Sequence, residues 1–196
     1  MKPAAQPRRP ATYQDLVALP PHVIGEILDG ELVVSPRPAP PHARSSSGLG
    51  GELFGPFDRG RGGPGGWWIL DEPELHFGPE VVVPDLAGWR RARMAAPPPT
   101  AYFTLAPDWL AEVLSPSTAL RDRTIKLDIY AREGVAHVWL IDPIARTVEV
   151  LRLVGGSWLV ARTVGGDCHE RVEPFAEVEI DLGSLWLPLA TEPALP

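Results

Sequence analysis

The chain has 196 residues, 24 of them Pro and 19 Gly, with a formal net charge of -7 and one cysteine, Cys168. That length suits a domain able to bury most of the surface its unfolded form would expose, and a lone Cys excludes both an internal disulfide and a multi-thiolate zinc site. The 44% apolar share excludes a wholly disordered chain. No apolar run suits a membrane span, and none follows the basic residues of the N-terminus as a secretory signal requires, so the expected address is cytoplasmic.

Charge is unevenly spread. From Gly165 onward Asp167, Glu170, Glu173, Glu177, Glu179, Asp181 and Glu192 meet only Arg171, which leaves the rest of the chain near neutral. In the middle, Arg90, Arg91, Arg93, Arg121, Arg123, Lys126 and Arg132 outnumber Asp108, Glu112, Asp122 and Asp128. A local basic surface of this kind suits phosphate contacts, whereas an acidic protein is a poor tight, non-specific DNA binder.

In chain order, residues 1–11 read as a Pro- and Arg-rich tail. Thr12 and Asp15 cap a short helix that stops at Pro20 and Pro21. Residues 23–28 and 31–35 are strand-like runs joined by Asp29-Gly30, a pair that favours a tight type I′ hairpin turn. A helix is expected from His42 onward, after the proline-rich stretch 36–41. The Gly-rich stretch 59–66 predicts a loop, followed by strands over 67–70, 74–77 and 81–89. Residues 109–114 form another apolar run, and Ser115-Pro116-Ser117-Thr118 then opens a helix over 119–133 that ends at Gly134. Three strands are expected over 135–141, 147–153 and 157–164, and residues 188–196 read as a C-terminal tail. The pattern predicts one domain over 12–187, of α/β or α+β class, with a mixed central sheet flanked by helices.

Three residues carry the chemistry. Asp85 follows Pro84 at the end of Val81-Val82-Val83, where proline weakens regular pairing. Glu112 lies inside the apolar run Trp109 to Leu114, where an ionised carboxylate is costly unless paired or bound to metal. If the two strands are neighbours, two carboxylates converge on an oxygen-ligand site suited to Mg²⁺ or Mn²⁺. Glu112 fits equally well on an edge strand facing water or an Arg. Lys126 is conspicuous because Lys2 is the only other lysine, every remaining cation being Arg. Its ammonium is a compact charge whose protonation responds to burial; a surface pair with Asp122 one turn earlier is the plain alternative.

Pro84-Asp85, Glu112-Val113-Leu114-Ser115-Pro116-Ser117-Thr118, Lys126 with Tyr130, Gly134-Val135 and Val138 to Pro143 together resemble the bacterial Uma-two family of the PD-(D/E)XK nuclease superfamily. The hairpin Gly25 to Pro36 and the following His42 resemble the family's opening segment, and the likeness spans about residues 12–153. The resemblance implies a restriction-endonuclease-like core, DNA as partner and a divalent-metal phosphodiesterase site. Asp85 and Glu112 would be metal ligands and Glu26 a further one. Leu114 stands where the textual motif has Lys, so Lys126 would reach the same space from the helix and stabilise the reacting phosphate. His42, Tyr130, Arg121 and Arg123 would contact substrate, with Arg90, Arg91 and Arg93 close by.

Other chemistries lack their motifs: there is no G-x-S-x-G elbow, no H-x-x-x-H spacing and no P-loop. The seven Trp residues suit core packing better than base stacking. A nuclease-fold protein without turnover, binding nucleic acid or a protein, is the alternative reading. Apolar strands over 147–164 would suit a homodimer or a self-associating structural protein.

Overall fold

The computed structural model describes residues 9–21, 23–35 and 37–188. Most of the two expected tails therefore lies outside the described residues. A short helix α1 (Tyr13–Val17) precedes a hairpin of β1 (Ile24–Leu28) and β2 (Glu31–Ser35). Asp29 and Gly30 both take positive φ, 49° and 76°, as the type I′ turn demands.

Helix α2 (Pro40–Leu53) starts two residues before the expected His42. Pro40 and Pro41 occupy its first turn, where a missing N–H leaves no helical bond unmade. A π-helical turn, Phe54–Asp58, extends α2 to the Gly-rich loop. Strands β3 (Trp67–Asp71), β4 (Leu75–Phe77), β5 (Glu80–Val82), β6 (Leu86–Arg90) and β7 (Trp109–Val113) follow.

The expected strand 81–89 is two strands in two different sheets. β5 joins a four-stranded antiparallel sheet of order β2-β1-β5-β4, while β6 joins a six-stranded sheet. The chain changes sheets at Val83-Pro84-Asp85, where Pro84 has no N–H for a ladder.

After β7 the chain crosses over through α3 (Ala119–Arg121), a π-helical segment Asp122–Lys126 and α4 (Leu127–Arg132) to β8 (His137–Asp142). β7 and β8 are parallel, the one parallel pair of the six-stranded sheet, and a parallel pair requires such a crossover. β9 (Thr147–Val154) and β10 (Ser157–Gly165) complete the order β10-β9-β8-β7-β6-β3. β10 is an outer strand on which Leu159 and Val160 are exposed. The acid-rich segment beyond it, where no element was legible, forms β11 (His169–Glu170), β12 (Ile180–Asp181) and a 3-10 turn, Leu182–Leu185.

Period-two alternation divides the core. Trp109, Ala111 and Val113 share one cluster with Trp67, Trp139, Leu49, Phe57, Phe175 and Trp186. Leu110 and Leu114 face the other, with Trp89, Leu140, Ile129 and Tyr130. Glu112 takes the slot between Leu110 and Leu114 and so points toward α4 and the smaller sheet. The C-terminal segment seals the first cluster, with Ser45 donating to Leu185 O at 2.9 Å. Only glycine fits at position 48, since a Cβ there would stand 2.7 Å from Ser184 O. The Trp residues belong largely to the core, with Trp89, Trp109 and Trp139 fully buried.

Candidate active site

The antiparallel register Leu86↔Ala111 and Ala87↔Leu110 brings Asp85 opposite Glu112 at the end of the β6–β7 pair. Asp85 Oδ2 accepts the Val113 N–H at 2.7 Å, which ties the carboxylate to the strand carrying Glu112. Asp85 Oδ1 lies 3.2 Å from His42 Nε2 in the first turn of α2. The two acids recognisable in sequence are thus joined by strand pairing.

Lys126 comes from the crossover and is 3% exposed. Its Nζ lies 2.7 Å from Glu112 Oε1 and 3.0 Å from Glu26 Oε1, and it donates to Val83 O at 3.3 Å. Burial alone would pull this ammonium down; the charges of Glu112 and Glu26 outweigh that and hold it well above the ordinary lysine value. Tyr130, one turn further on, donates its hydroxyl to Glu112 Oε1 at 2.5 Å. Burial and the adjacent Glu112 push its phenol well up, so it stays a donor. Lys126 pairs with Glu26 and Glu112 and not with a surface Asp122, which is itself buried and whose backbone N–H donates to Thr118 O at 3.0 Å.

Glu26, Asp85, Glu112 and Lys126 border a cavity of about 270 Å³. Its wall includes Glu26, Glu72, Asp85, Glu112 and Asp122 against the cations Arg37 and Lys126, with His42 alongside. Burial and mutual repulsion raise the carboxylates at its edge: Glu72 rises through burial, Asp71 and Asp85, and Asp122 rises through burial despite the opposing Lys126. For His42, burial disfavours the charged ring, but the hydrogen bond and charge of Asp85 outweigh it and raise the imidazole. Glu72 holds a left-handed φ of 44°, with its N–H bonded to Asp85 O.

Sequence reasoning missed Glu72, Asp122 and Arg37 on this wall. Glu72 and Arg37 lie in connections outside regular strands and helices, where no periodicity marks a facing direction. Asp122 was read only as a surface partner for Lys126.

The remaining candidates lie elsewhere. Tyr130 is fully buried and directed at Glu112, so it meets the cavity only through that carboxylate. Arg123 makes a two-pronged pair with Glu149 on β9, at 2.9 and 2.6 Å. Neither Arg121 nor Arg123 lines the cavity. The expectation that Arg90, Arg91 and Arg93 lie near the site is corrected by strand direction. Arg90 ends β6, about 17 Å from Asp85 at the usual strand rise, and Arg91 and Arg93 follow it. There Arg91 pairs with Asp58, Arg93 with Asp108, and Arg90 packs over Trp67.

Glu26 and Glu112 are each held through Oε1, Glu26 by Lys126 and the Val83 N–H and Glu112 by Lys126 and the Tyr130 hydroxyl, while Asp85 uses Oδ2 for the Val113 N–H and Oδ1 toward His42. Among the described residues no group of three or more His, Cys, Asp or Glu side chains is arranged to hold a metal ion. Mg²⁺ retains several waters and commonly takes one or two carboxylates, so an oxygen pair beside mutually repelling acids fits such a cation.

The family model that describes a "putative restriction endonuclease", Uma2, matches residues 10–183. A crystal structure from Anabaena variabilis ATCC 29413, described as a putative nuclease belonging to DUF820, superposes with a TM-score of 0.72. The likeness covers 90% of this chain and 97% of that one at 24% identity, and shows a shared fold. No curated protein matches the chain. Among the described residues, no helix is long and apolar enough to cross a membrane. With its match running from before the hairpin to the C-terminal turn, the chain belongs to the Uma2 family, whose mixed-sheet nuclease fold it shares.

Proposed function

We propose that the protein is a divalent-metal-dependent DNA nuclease of the PD-(D/E)XK type. The observation that carries this reading is the meeting of Asp85, Glu112 and a charged Lys126 at one cavity, from two strands and a crossover helix. Asp85 and Glu112 are the residues that would hold Mg²⁺ or Mn²⁺. A bound divalent ion would supply charge neutralisation on the phosphate and a more acidic attacking water.

The chain's own residues do the rest. Strand pairing and the Val113 N–H orient Asp85; Lys126 and Tyr130 orient Glu112 through one oxygen. Lys126, kept protonated by its two carboxylates, acts as a fixed positive charge for the phosphate rather than as a base. Arg37, on the cavity wall, is the cation placed to meet the phosphate backbone. The exposed β10 edge suits pairing with a second copy.

Cleavage of supercoiled and single-stranded DNA with Mn²⁺, beside calorimetric Mn²⁺ titration, tests the reading. Asp85→Asn is expected to lose Mn²⁺ binding and at least about a hundredfold in rate. Equal weak binding and no cleavage by either protein would overturn it.

A further inference from the structure

Glu26 is more than a counter-ion for Lys126. Its Oε1 accepts the Val83 N–H at 2.9 Å and lies 3.0 Å from Lys126 Nζ, while the same Nζ donates to Val83 O at 3.3 Å. Both polar groups of Val83 are therefore held by one ion pair. Val83 is the residue at which the chain has left β5 in the smaller sheet and has not yet entered β6 in the larger. Its peptide groups have no ladder partners there, and unpaired backbone groups away from water are costly. Pro84 adds no donor, and Asp85 follows immediately.

From this closed ring we infer that Glu26 is a positioning residue: with Lys126 it clamps the sheet-to-sheet crossing at Val83 and so sets where the Asp85 carboxylate stands. The inference rests on the proposed nuclease reading for its consequence in turnover, but the clamp itself is a property of the fold. It assigns Glu26, through Oε1, to the clamp and not to the metal's ligand set, although Oε2 takes no part in the clamp and Glu26 borders the same cavity. Groups that orient a ligand from behind typically change affinity or activity by about 10- to 100-fold when removed.

The test compares Glu26→Leu, which removes the acceptor, with Glu26→Gln, which keeps an acceptor oxygen in the same place. Three quantities are read: hydrogen exchange at the Val83 amide, Mn²⁺ affinity by calorimetry, and kcat and KM on DNA. Glu26→Leu is expected to speed Val83 exchange, weaken Mn²⁺ binding and lower kcat by about 10- to 100-fold with KM little changed. Glu26→Gln is expected to recover all three to within a few-fold.

Unchanged Val83 protection in Glu26→Leu overturns the clamp. Mn²⁺ binding lost as fully in Glu26→Gln as in Asp85→Asn shows Glu26 to be a metal ligand and overturns it too. Should Glu26→Leu fail to fold, Glu26→Gln decides: protected Val83 and retained Mn²⁺ affinity support the clamp, and loss of either refutes it. Absence of cleavage by the unaltered protein would defeat the nuclease reading alone, since the exchange and affinity measurements still decide the clamp.

Discussion

Tyr130 donates its hydroxyl to the same oxygen of Glu112 that Lys126 reaches, and all three side chains are shut off from solvent. Lys126 and Tyr130 are four residues apart, one turn of the crossover, and so present their polar ends side by side. A carboxylate gripped through one oxygen from two points keeps a defined direction for the other. Orientation at this site is therefore set by packed elements and not by a mobile loop.

Tyr130→Phe deletes only the hydroxyl and leaves the ring in the core. A buried carboxylate that loses one donor is expected to cost about 1–3 kcal/mol, read as a lower urea midpoint with an unchanged slope. Mn²⁺ affinity should fall in parallel. Stability equal to the unaltered protein would show that the hydroxyl does not hold Glu112.

Lys126→Met removes the cation between two buried carboxylates. Breaking such a pair is expected to cost about 3–5 kcal/mol at pH 7.5. Burial already pushes Glu112 above its usual 4.5, and Lys126 opposes that push. Without Lys126 the folded state retains a proton to higher pH than the unfolded state, so stability falls as pH rises above 4.5. Urea unfolding of the variant should therefore show a deficit that shrinks toward pH 5, and a deficit constant with pH would contradict this account.

His137, at the start of β8, is pulled below 6.5 chiefly by burial, against the raising influence of Glu173. A base depressed in the folded state binds fewer protons there than in the unfolded chain. Its contribution is intact above pH 6.5 and lost as pH falls through that value toward the depressed one. His137→Gln should flatten the decline in urea midpoint between pH 7 and pH 5.5, whereas an identical decline in both proteins would assign the acid sensitivity elsewhere.

Arg37 and Arg123 should separate in DNA binding. Arg37→Ala is expected to weaken binding across sequences and lower the salt slope by about 1. Arg123→Ala breaks a partly exposed pair with Glu149, worth at most about 1 kcal/mol of stability, and should leave the slope unchanged. Fluorescence anisotropy over a salt series measures both, and a slope that changes only for Arg123→Ala would place the backbone contacts on the crossover helix instead.

The carriers of the site are legible in the amino-acid sequence. Proline and a carboxylate ending an apolar strand, a glutamate inside another and a lone lysine in an Arg-using chain are local facts, because burial cost and backbone constraint act residue by residue. The Asp29-Gly30 turn and the order of most strands were legible for the same reason. The rest came from the packing of distant segments. It split 81–89 between two sheets, sent Arg90, Arg91 and Arg93 to the far end of β6, and made Glu26 the partner of Lys126. It also brought Glu72 and Arg37 to the cavity and folded the acidic C-terminal segment over the tryptophan core. Those outcomes depend on which strands pair and which faces pack, and pairing between distant segments leaves no periodic mark in either segment alone.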